Sequence, residues 1–227
     1  MKTKVYNALN KSQIVVFVML IAPLFGFIDR NLVFFFGLGI ALFVFRESKF
    51  DKSKFGLEEQ LQWKTLYRSL LYAVAIFFLD AIVIGPVLEN LLGPTDLSSF
   101  DSIIGNFTNY LILLLIMWVF AAFGEEFLHR GFYMKWMAEY LGNTKKHWII
   151  SSIITSFYFA MGHIYQGISG AVGVFFWSLM VSFSFMKNRK NLWLVILVHG
   201  FYDTIAITLH YFDKLEVISN WLSHMCQ

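Results

Sequence analysis

The chain has 227 residues, of which 58% are hydrophobic and only 15% are charged, with 26 phenylalanines and a formal net charge of +3. A soluble domain carries about 45–50% apolar and about 25% charged residues, so this composition excludes an ordinary soluble enzyme. One core of this length cannot bury so much apolar side chain, and lipid must cover much of it. We therefore expect a single domain surrounded by a lipid bilayer, with no nucleic acid as partner.

Apolar runs are spread along the whole sequence and predict an all-α fold, a polytopic transmembrane helix bundle of about seven spans. In chain order the runs are Ile14–Ile28, Leu32–Phe45, Ser69–Leu88, Ile103–Phe123, Trp148–Met161, Gly170–Met186 and Leu192–Leu209. A spanning helix needs about 20 residues, so the first two runs are brief and are interpreted as a short helical hairpin. The first run also has the basic start of a signal peptide, but no small-x-small cleavage site follows it.

A polar stretch, 46–68, lies between the second and third runs and carries both signs of charge. Its leucines, with Trp63 and Tyr67, give it one apolar side. Two interpretations fit this pattern: an amphipathic helix lying on the membrane surface, or a solvated loop that leads into the next span.

Basic residues alternate with the spans in the way that the positive-inside rule requires. They crowd the N-terminus, 46–68, 130–146 and 187–190, whereas the intervening segments 89–102 and 162–169 contain no Lys or Arg. This pattern predicts a cytoplasmic N-terminus. The compact length and the lack of a eukaryotic retention signal favour a bacterial plasma membrane.

Cysteine chemistry contributes little here, since the only cysteine is Cys226, next to the last residue of the sequence. A disulfide framework and a zinc site built on thiolates are thereby excluded, and a cysteine nucleophile is not expected at that position.

Ionisable residues within apolar runs are the candidate site, because a charge near the bilayer centre costs roughly 2.5–3.5 kcal/mol on insertion scales. Glu125 and Glu126 follow the fourth run directly. If the helix continues, Glu126 and Arg130 are i,i+4 neighbours that form a pair, and Glu125 is left free of it. A carboxylate so placed can act as a general base toward water. The structural alternative is a helix end that emerges at the cytoplasmic surface with a salt bridge.

Two histidines extend this set. His163 ends the fifth run, where a histidine beside aromatic residues is more often interfacial than catalytic. His199 and Asp203 lie inside the seventh run with i,i+4 spacing, so they share a helix face and point together into the bundle. They form either a buried polar pair that holds helices together or an imidazole and a carboxyl aimed at a common cavity.

Together these side chains indicate a water-activating site, and imidazole with carboxylate also suits a divalent metal such as zinc. The HExxH helix of common zinc peptidases is absent. No serine nucleophile elbow is present either, and Ser182 and Ser184 have no recognisable partner.

At these residues the sequence resembles the CPBP family, the CAAX-prenyl-endopeptidase and bacteriocin-processing group of intramembrane proteases, also called the Abi family. Its motifs are EExxxR, FxxxH and HxxxN/D on successive helices. Here they are Glu125-Glu126-x-x-x-Arg130, Phe159-x-x-x-His163 and His199-x-x-x-Asp203, in the same order. The resemblance divides the membrane domain into N-terminal spans with an amphipathic cytoplasmic segment (1–102), a CPBP-like catalytic core (103–210) and a C-terminal tail (211–227).

The resemblance implies an intramembrane endopeptidase that cuts membrane-associated substrates, such as prenylated proteins or peptide precursors. It further implies that Glu125 and His163 activate the attacking water, that His199 and the residue at Asp203 stabilise the oxyanion, and that Glu126 with Arg130 holds the geometry. Both a metalloprotease mechanism and a metal-free, glutamate-driven mechanism are accounts of this family.

Asp203 stands where the family motif also allows Asn. An asparagine can donate a hydrogen bond to an oxyanion, whereas an ionised aspartate only accepts. We therefore expect Asp203 either to be neutral or to orient His199.

Straight helices with these ends put Glu125 near the inner face and His163 near the outer end of its span. For the two to share one water molecule, the fourth helix must extend well past Phe123, or the fifth must begin in the cytosol.

Two other classes of function compete with the protease. One is a non-proteolytic membrane regulatory or immunity protein that binds a sensor kinase or a peptide transporter and uses the polar cluster as structural glue. The other is a proton-coupled transporter, which would also use buried carboxylates, but the sequence lacks paired half-repeats.

Overall fold

The computed structural model describes residues 2–27 and 29–214, and it is helical almost throughout. No β-strand is present in these residues, which contain a single isolated bridge between Leu57 and Asn191. The predicted all-α fold is thus confirmed. The helices are α1 (Lys2–Leu9), α2 (Ser12–Ile21), α3 (Arg30–Glu47), α4 (Trp63–Leu92), α5 (Phe107–Leu141), α6 (Lys145–Met161), α7 (Gly167–Lys187) and α8 (Leu192–Tyr211).

Four helices of the described chain are long and apolar enough to cross a membrane, namely α4, α5, α8 and α7 with its preceding turn from Ile164. The other three predicted runs are also helical. However, α2 is short and continues as the 3₁₀ turn Ala22–Phe27, α3 has charged residues at both ends, and α6 has 17 residues. The chain therefore has at least four candidate spans, and the count of about seven stays a prediction. The end of the first run, Ile28, and most of the tail, 215–227 with Cys226, lie outside the described residues.

Side-chain caps set several helix beginnings. The Asp29 carboxylate accepts a hydrogen bond from the Asn31 amide at the start of α3, and Asn106 and Asn191 cap α5 and α8 in the same way. Thr144 caps α6 through the capping box it forms with His147. Each cap satisfies an amide that would otherwise lack a partner in the first turn.

The segment before α4 folds inward instead of lying on the surface. Only the 3₁₀ turn Lys52–Phe55 interrupts its irregular course before α4 begins at Trp63. Phe55 is fully buried and stacks on Phe127 with ring centroids 4.5 Å apart, and Leu57 is also buried. The surface-helix interpretation is wrong for 48–62, which contains no α-helix and sends Phe55 and Leu57 into the core, whereas Leu61, Trp63 and Tyr67 are exposed.

The long helix α5 differs most from the predicted fourth span. It runs without a break from Phe107 to Leu141, with π-helical hydrogen bonding over Met117–Glu125 and Phe127–Met134. Glu125 therefore lies near the middle of a 35-residue helix instead of at its end. This is one of the two arrangements that a shared water molecule requires.

Packing brings the motif-bearing helices together. α8 packs against α4 and against the Met117–Glu125 part of α5, while α6 packs against α7. The interior of the bundle, where α5, α6, α7 and α8 meet, is where the ionisable side chains converge.

Candidate active site

Arg130 lies at the centre of the polar cluster and is 1% exposed. Its Nη1 donates to Glu126 Oε1 over 2.8 Å, and Glu126 is fully buried. The predicted i,i+4 pair is thus present, but deep inside the bundle and not at an emerging helix end. An ion pair taken out of water is stable only when further hydrogen bonds satisfy its remaining donors.

Serines on α7 supply those hydrogen bonds. Arg130 Nη2 donates to Ser178 Oγ over 2.6 Å and to the Ser178 carbonyl over 3.0 Å, and its Nε donates to Ser182 Oγ over 3.3 Å. Ser178 in turn donates to Ser156 on α6. The sequence showed no partner for Ser182 at a set spacing, and the structure supplies one, Arg130, 52 positions away on another helix.

Two aromatic rings, Phe159 and Trp177, stack on each other and lie beside the guanidinium. Arg130 Cζ lies 5.0 Å from the centroid of the Phe159 ring and 5.6 Å from that of Trp177. Cation–π attraction is stronger where water is excluded, as it is here. Arg130 is thereby fixed in one orientation, and so is the carboxylate that it holds.

Glu126 in turn holds the His199 ring in a fixed orientation. Its Nδ1 lies 2.9 Å from Glu126 Oε1, the same oxygen that accepts from Arg130. Because a carboxylate oxygen only accepts, Nδ1 is the donor. The ring is buried against Trp177, with centroids 4.5 Å apart. The Nε2 edge of His199 therefore points away from the ion pair in a defined direction.

Two further carboxylates face this Nε2 atom. Asp203 Oδ2 lies 3.4 Å from it and Glu125 Oε2 lies 4.0 Å from it, and the two side chains are 17% and 21% exposed. The predicted His199–Asp203 pair on one helix face is thus present, and Glu125 joins it from α5. These two carboxyl groups are the accessible part of the cluster.

His163 lies beside the cluster and not in it. Its Nδ1 lies 2.9 Å from the Phe159 carbonyl, an acceptor, so Nδ1 donates and Nε2 is the acceptor nitrogen. No carboxylate among residues 2–27 and 29–214 pairs with it within 4.0 Å. The Phe159 ring joins the two histidines, with its centroid 4.7 Å from that of His163 and 6.4 Å from that of His199.

The structure adds residues that the sequence did not single out. His129 is buried against Phe159, and its Nδ1 has no hydrogen-bond partner, nor do the hydroxyl groups of Tyr133 and Tyr158, whose rings contact it and each other. Asp80, noted only as an interruption of the third run, accepts from the Tyr202 hydroxyl over 2.6 Å. Asp80 lies on α4 and Tyr202 adjoins Asp203, so their spacing along the chain carries no signal of the contact.

Whether the site can hold a metal ion depends on how its donor side chains are arranged. Among the described residues, no group of three or more His, Cys, Asp or Glu side chains is arranged to hold a metal ion. In the cluster, Glu126 Oε1 and His199 Nδ1 are already committed to each other and to Arg130, and Glu126 Oε2 is left without a hydrogen-bond partner among the described residues. We therefore assign no step to a metal, and the choice between a mechanism with a divalent metal such as zinc and a metal-free one is not decided by these donors.

The comparisons with known proteins agree with the motifs. Residues 107–205 match the model of the family described as type II CAAX prenyl endopeptidase Rce1-like. The match supports membership of this part of the chain in the CAAX protease family. The CAAX-protease region includes all seven motif residues, from Glu125 to Asp203, and falls within the predicted core of 103–210. No curated protein and no solved structure matches the chain. Membership implies a membrane-embedded protease with membrane-associated substrates.

Proposed function

We propose that the protein is an intramembrane endopeptidase in which Glu125 and His163 activate a water molecule for attack on a peptide bond. The observation that carries the proposal is the arrangement around His199. Its Nδ1 edge is held by the buried Glu126–Arg130 pair, and its Nε2 edge faces the two partly exposed carboxyl groups of Glu125 and Asp203. A purely structural polar pair would not need accessible carboxyl groups beside a ring that is already fixed.

The proposed reaction begins with proton transfer from water to the Glu125 carboxylate as the water oxygen bonds to the scissile carbonyl carbon. The acceptor nitrogen of His163 assists in orienting the water. The carbonyl electron pair moves onto oxygen and forms an oxyanion. When the C–N bond breaks, Glu125 returns the proton to the leaving amine nitrogen. One water is consumed, and a carboxyl group and an amine are formed.

His199 and Asp203 are proposed to stabilise the oxyanion. When His199 carries both ring protons, its Nδ1–H donates to Glu126. Its Nε2–H then points toward Asp203, and on this side we place the oxyanion, which needs a donor. Asp203 donates as well only if it is protonated; otherwise it orients the ring. Glu126 and Arg130 act through His199 and are positioning residues.

We propose membrane-bound proteins or lipidated peptides as the substrates, with the bacterial plasma membrane as the location and the N-terminus in the cytoplasm. The opposing hypothesis is a membrane regulatory or immunity protein that binds a sensor kinase or transporter without cleaving it.

The deciding experiment compares cells that carry the unaltered protein with cells that carry Glu125→Gln at matched membrane levels. New peptide N-termini are read out in the membrane and secreted fractions. We expect termini that depend on the unaltered protein to fall by about 10²–10⁴-fold in the variant, the usual contribution of a general base. Glu139→Gln is the matched control, since Glu139 is exposed on the same helix.

Identical termini in both strains, with any phenotype kept by Glu125→Gln, would contradict the protease and leave the regulatory protein. Loss of the same termini in Glu139→Gln would show that the effect is not specific to the cluster.

A further inference from the structure

A polar cavity of about 340 Å³ lies where the beginning of α4 meets the turn between α7 and α8. This turn, 187–190, is on the side of the bundle that the charge distribution predicts to be cytoplasmic. The residues that matter for the argument are Glu59, Lys64, Arg68, Tyr72, Lys187 and Asn191. None of them belongs to the cluster around His199, so the cavity is separate from the candidate active site.

Three cations face this cavity without a carboxylate partner. Within the described chain, Lys64, Arg68 and Lys187 form no ion pair within 4.0 Å, and Lys187 instead lies over the Tyr72 ring at 5.9 Å. Glu59, the one carboxylate in the lining, is already occupied by the amide groups of Asn188 and Asn191. With three cations and one carboxylate, the lining carries a net charge of +2, which suits an anionic group with several acceptor oxygens.

The same turns of α4 have the composition of a membrane–water interface. Trp63 is 79% exposed and Tyr67 is 59% exposed, and their i,i+4 spacing puts them on one face beside the face of Lys64 and Arg68. Trp and Tyr are enriched where the bilayer meets water. Above them, the exposed side chains of Leu70 and Leu71 continue an apolar surface along the helix.

We propose that this cavity binds the phosphate headgroup of an anionic membrane lipid, whose acyl chains lie along the exposed face of α4. The phosphate would sit among Lys64, Arg68 and Lys187. Basic pockets between transmembrane helices on the cytoplasmic side are suited to anionic headgroups. The aromatic and leucine side chains beside the cations favour a lipid over a free phosphate ion, which has no apolar part to contact them.

The test uses the full chain in a neutral detergent and measures lipid binding by native mass spectrometry. Phosphatidylglycerol, phosphatidylcholine and inorganic phosphate are the three probes. We expect phosphatidylglycerol to bind, phosphatidylcholine to bind at least tenfold more weakly, and millimolar inorganic phosphate not to displace the bound lipid. The double variant Lys64→Gln/Arg68→Gln should weaken the binding of phosphatidylglycerol by about tenfold or more.

Lys145→Gln with Lys146→Gln is the matched control, because it removes the same charge from exposed positions on the same predicted side of the membrane. The proposed site would be overturned if both double variants weakened phosphatidylglycerol binding equally, or if Lys64→Gln/Arg68→Gln did not weaken it. Displacement of bound phosphatidylglycerol by inorganic phosphate alone would overturn the proposal that the ligand is a lipid.

A second measurement covers the case in which Lys64→Gln/Arg68→Gln does not fold. A photoactivatable phosphatidylglycerol is crosslinked to the unaltered protein, and the adduct is mapped. We expect adducts on the first turns of α4 or on 184–194, and adducts only elsewhere would contradict the proposal. Glu125→Gln should bind the lipid as the unaltered protein does, so the outcome is independent of the proposed protease activity.

Discussion

Glu125 and Glu126 are neighbours in the chain, yet their side chains lie in opposite environments. Glu126 is fully buried, and its Oε1 accepts from both Arg130 and His199. Glu125 is 21% exposed and approaches His199 only to 4.0 Å. We call Glu126, Arg130, Ser178 and Ser182 the inner half of the cluster, and Glu125 and Asp203, with His163 beside them, the outer half.

We interpret the inner half as structural support and the outer half as the part that takes part in the proposed reaction. Charges in the inner half are paired, hydrogen-bonded and covered by rings, so nothing there is available to a substrate. Charges in the outer half have longer contacts and partial exposure, which leaves room for water and a peptide group. The fixed inner half holds His199 in the orientation that the outer half uses, as preorganised sites require.

The largest expected effect on stability comes from breaking the inner half with Arg130→Gln. Glu126 would then be a buried carboxylate without a cation, and we expect the free energy of unfolding to fall by about 3–5 kcal/mol. Thermal and denaturant unfolding in detergent would measure the loss, with the exposed Lys145→Gln as control. A variant as stable as the unaltered protein would show that the inner half is not a structural support.

An effect of intermediate size, on the rate of cleavage, is expected at Asp203 in the outer half, where Asp203→Asn is compared with Asp203→Ala. Asparagine has the same shape and can donate a hydrogen bond, so cleavage should be retained or raised if this position stabilises the oxyanion. The comparison variant Asp203→Ala has no donor and should lose about 10²–10³-fold in rate. Complete loss in Asp203→Asn would contradict the donor role and show that the carboxylate itself is needed.

The smallest expected effect comes from Ser178→Ala. The variant removes the hydroxyl that Arg130 Nη2 contacts at 2.6 Å but keeps the Ser178 carbonyl as an acceptor. One hydrogen bond to a charged group contributes about 1.5–3 kcal/mol, so we expect a loss of stability at the low end of that range. Unfolding of Ser184→Ala, whose hydroxyl bonds only to its own helix, is the control. An equal loss in both variants would mean that Ser178 does not support Arg130.

The sequence predicted those parts of the site that depend on spacing within one helix. Both i,i+4 pairs, Glu126 with Arg130 and His199 with Asp203, are present because neighbouring turns of a helix place such side chains together. The order of the helices and the apolar runs also followed from composition. The roles of the six candidate catalytic residues stay predictions.

Contacts between helices were not accessible from the sequence. Ser178 and Ser182 lie in an apolar run without any local signal, and their partner Arg130 is fixed only by the packing of α5 on α7. The segment 46–68 misled in part for the same reason, since Leu57, one of the apolar residues that suggested a membrane surface, packs into the bundle interior, while Leu61, Trp63 and Tyr67 are exposed. Helix ends were misjudged where π-helical bonding carries α5 past Phe123.

The π-helical part of α5 makes the site sensitive to the number of residues as well as to their identity. Each turn there contains one residue more than the i→i+4 pattern needs, and such turns occur often at functional sites. Deleting one residue between Met117 and Gly124 would let that turn return to ordinary helical bonding. Inserting a further residue there, which no wider turn absorbs, would instead rotate the preceding turns by roughly 100° relative to Glu125. A change of length, with every polar side chain retained, would thus realign one wall of the site against the carboxylate.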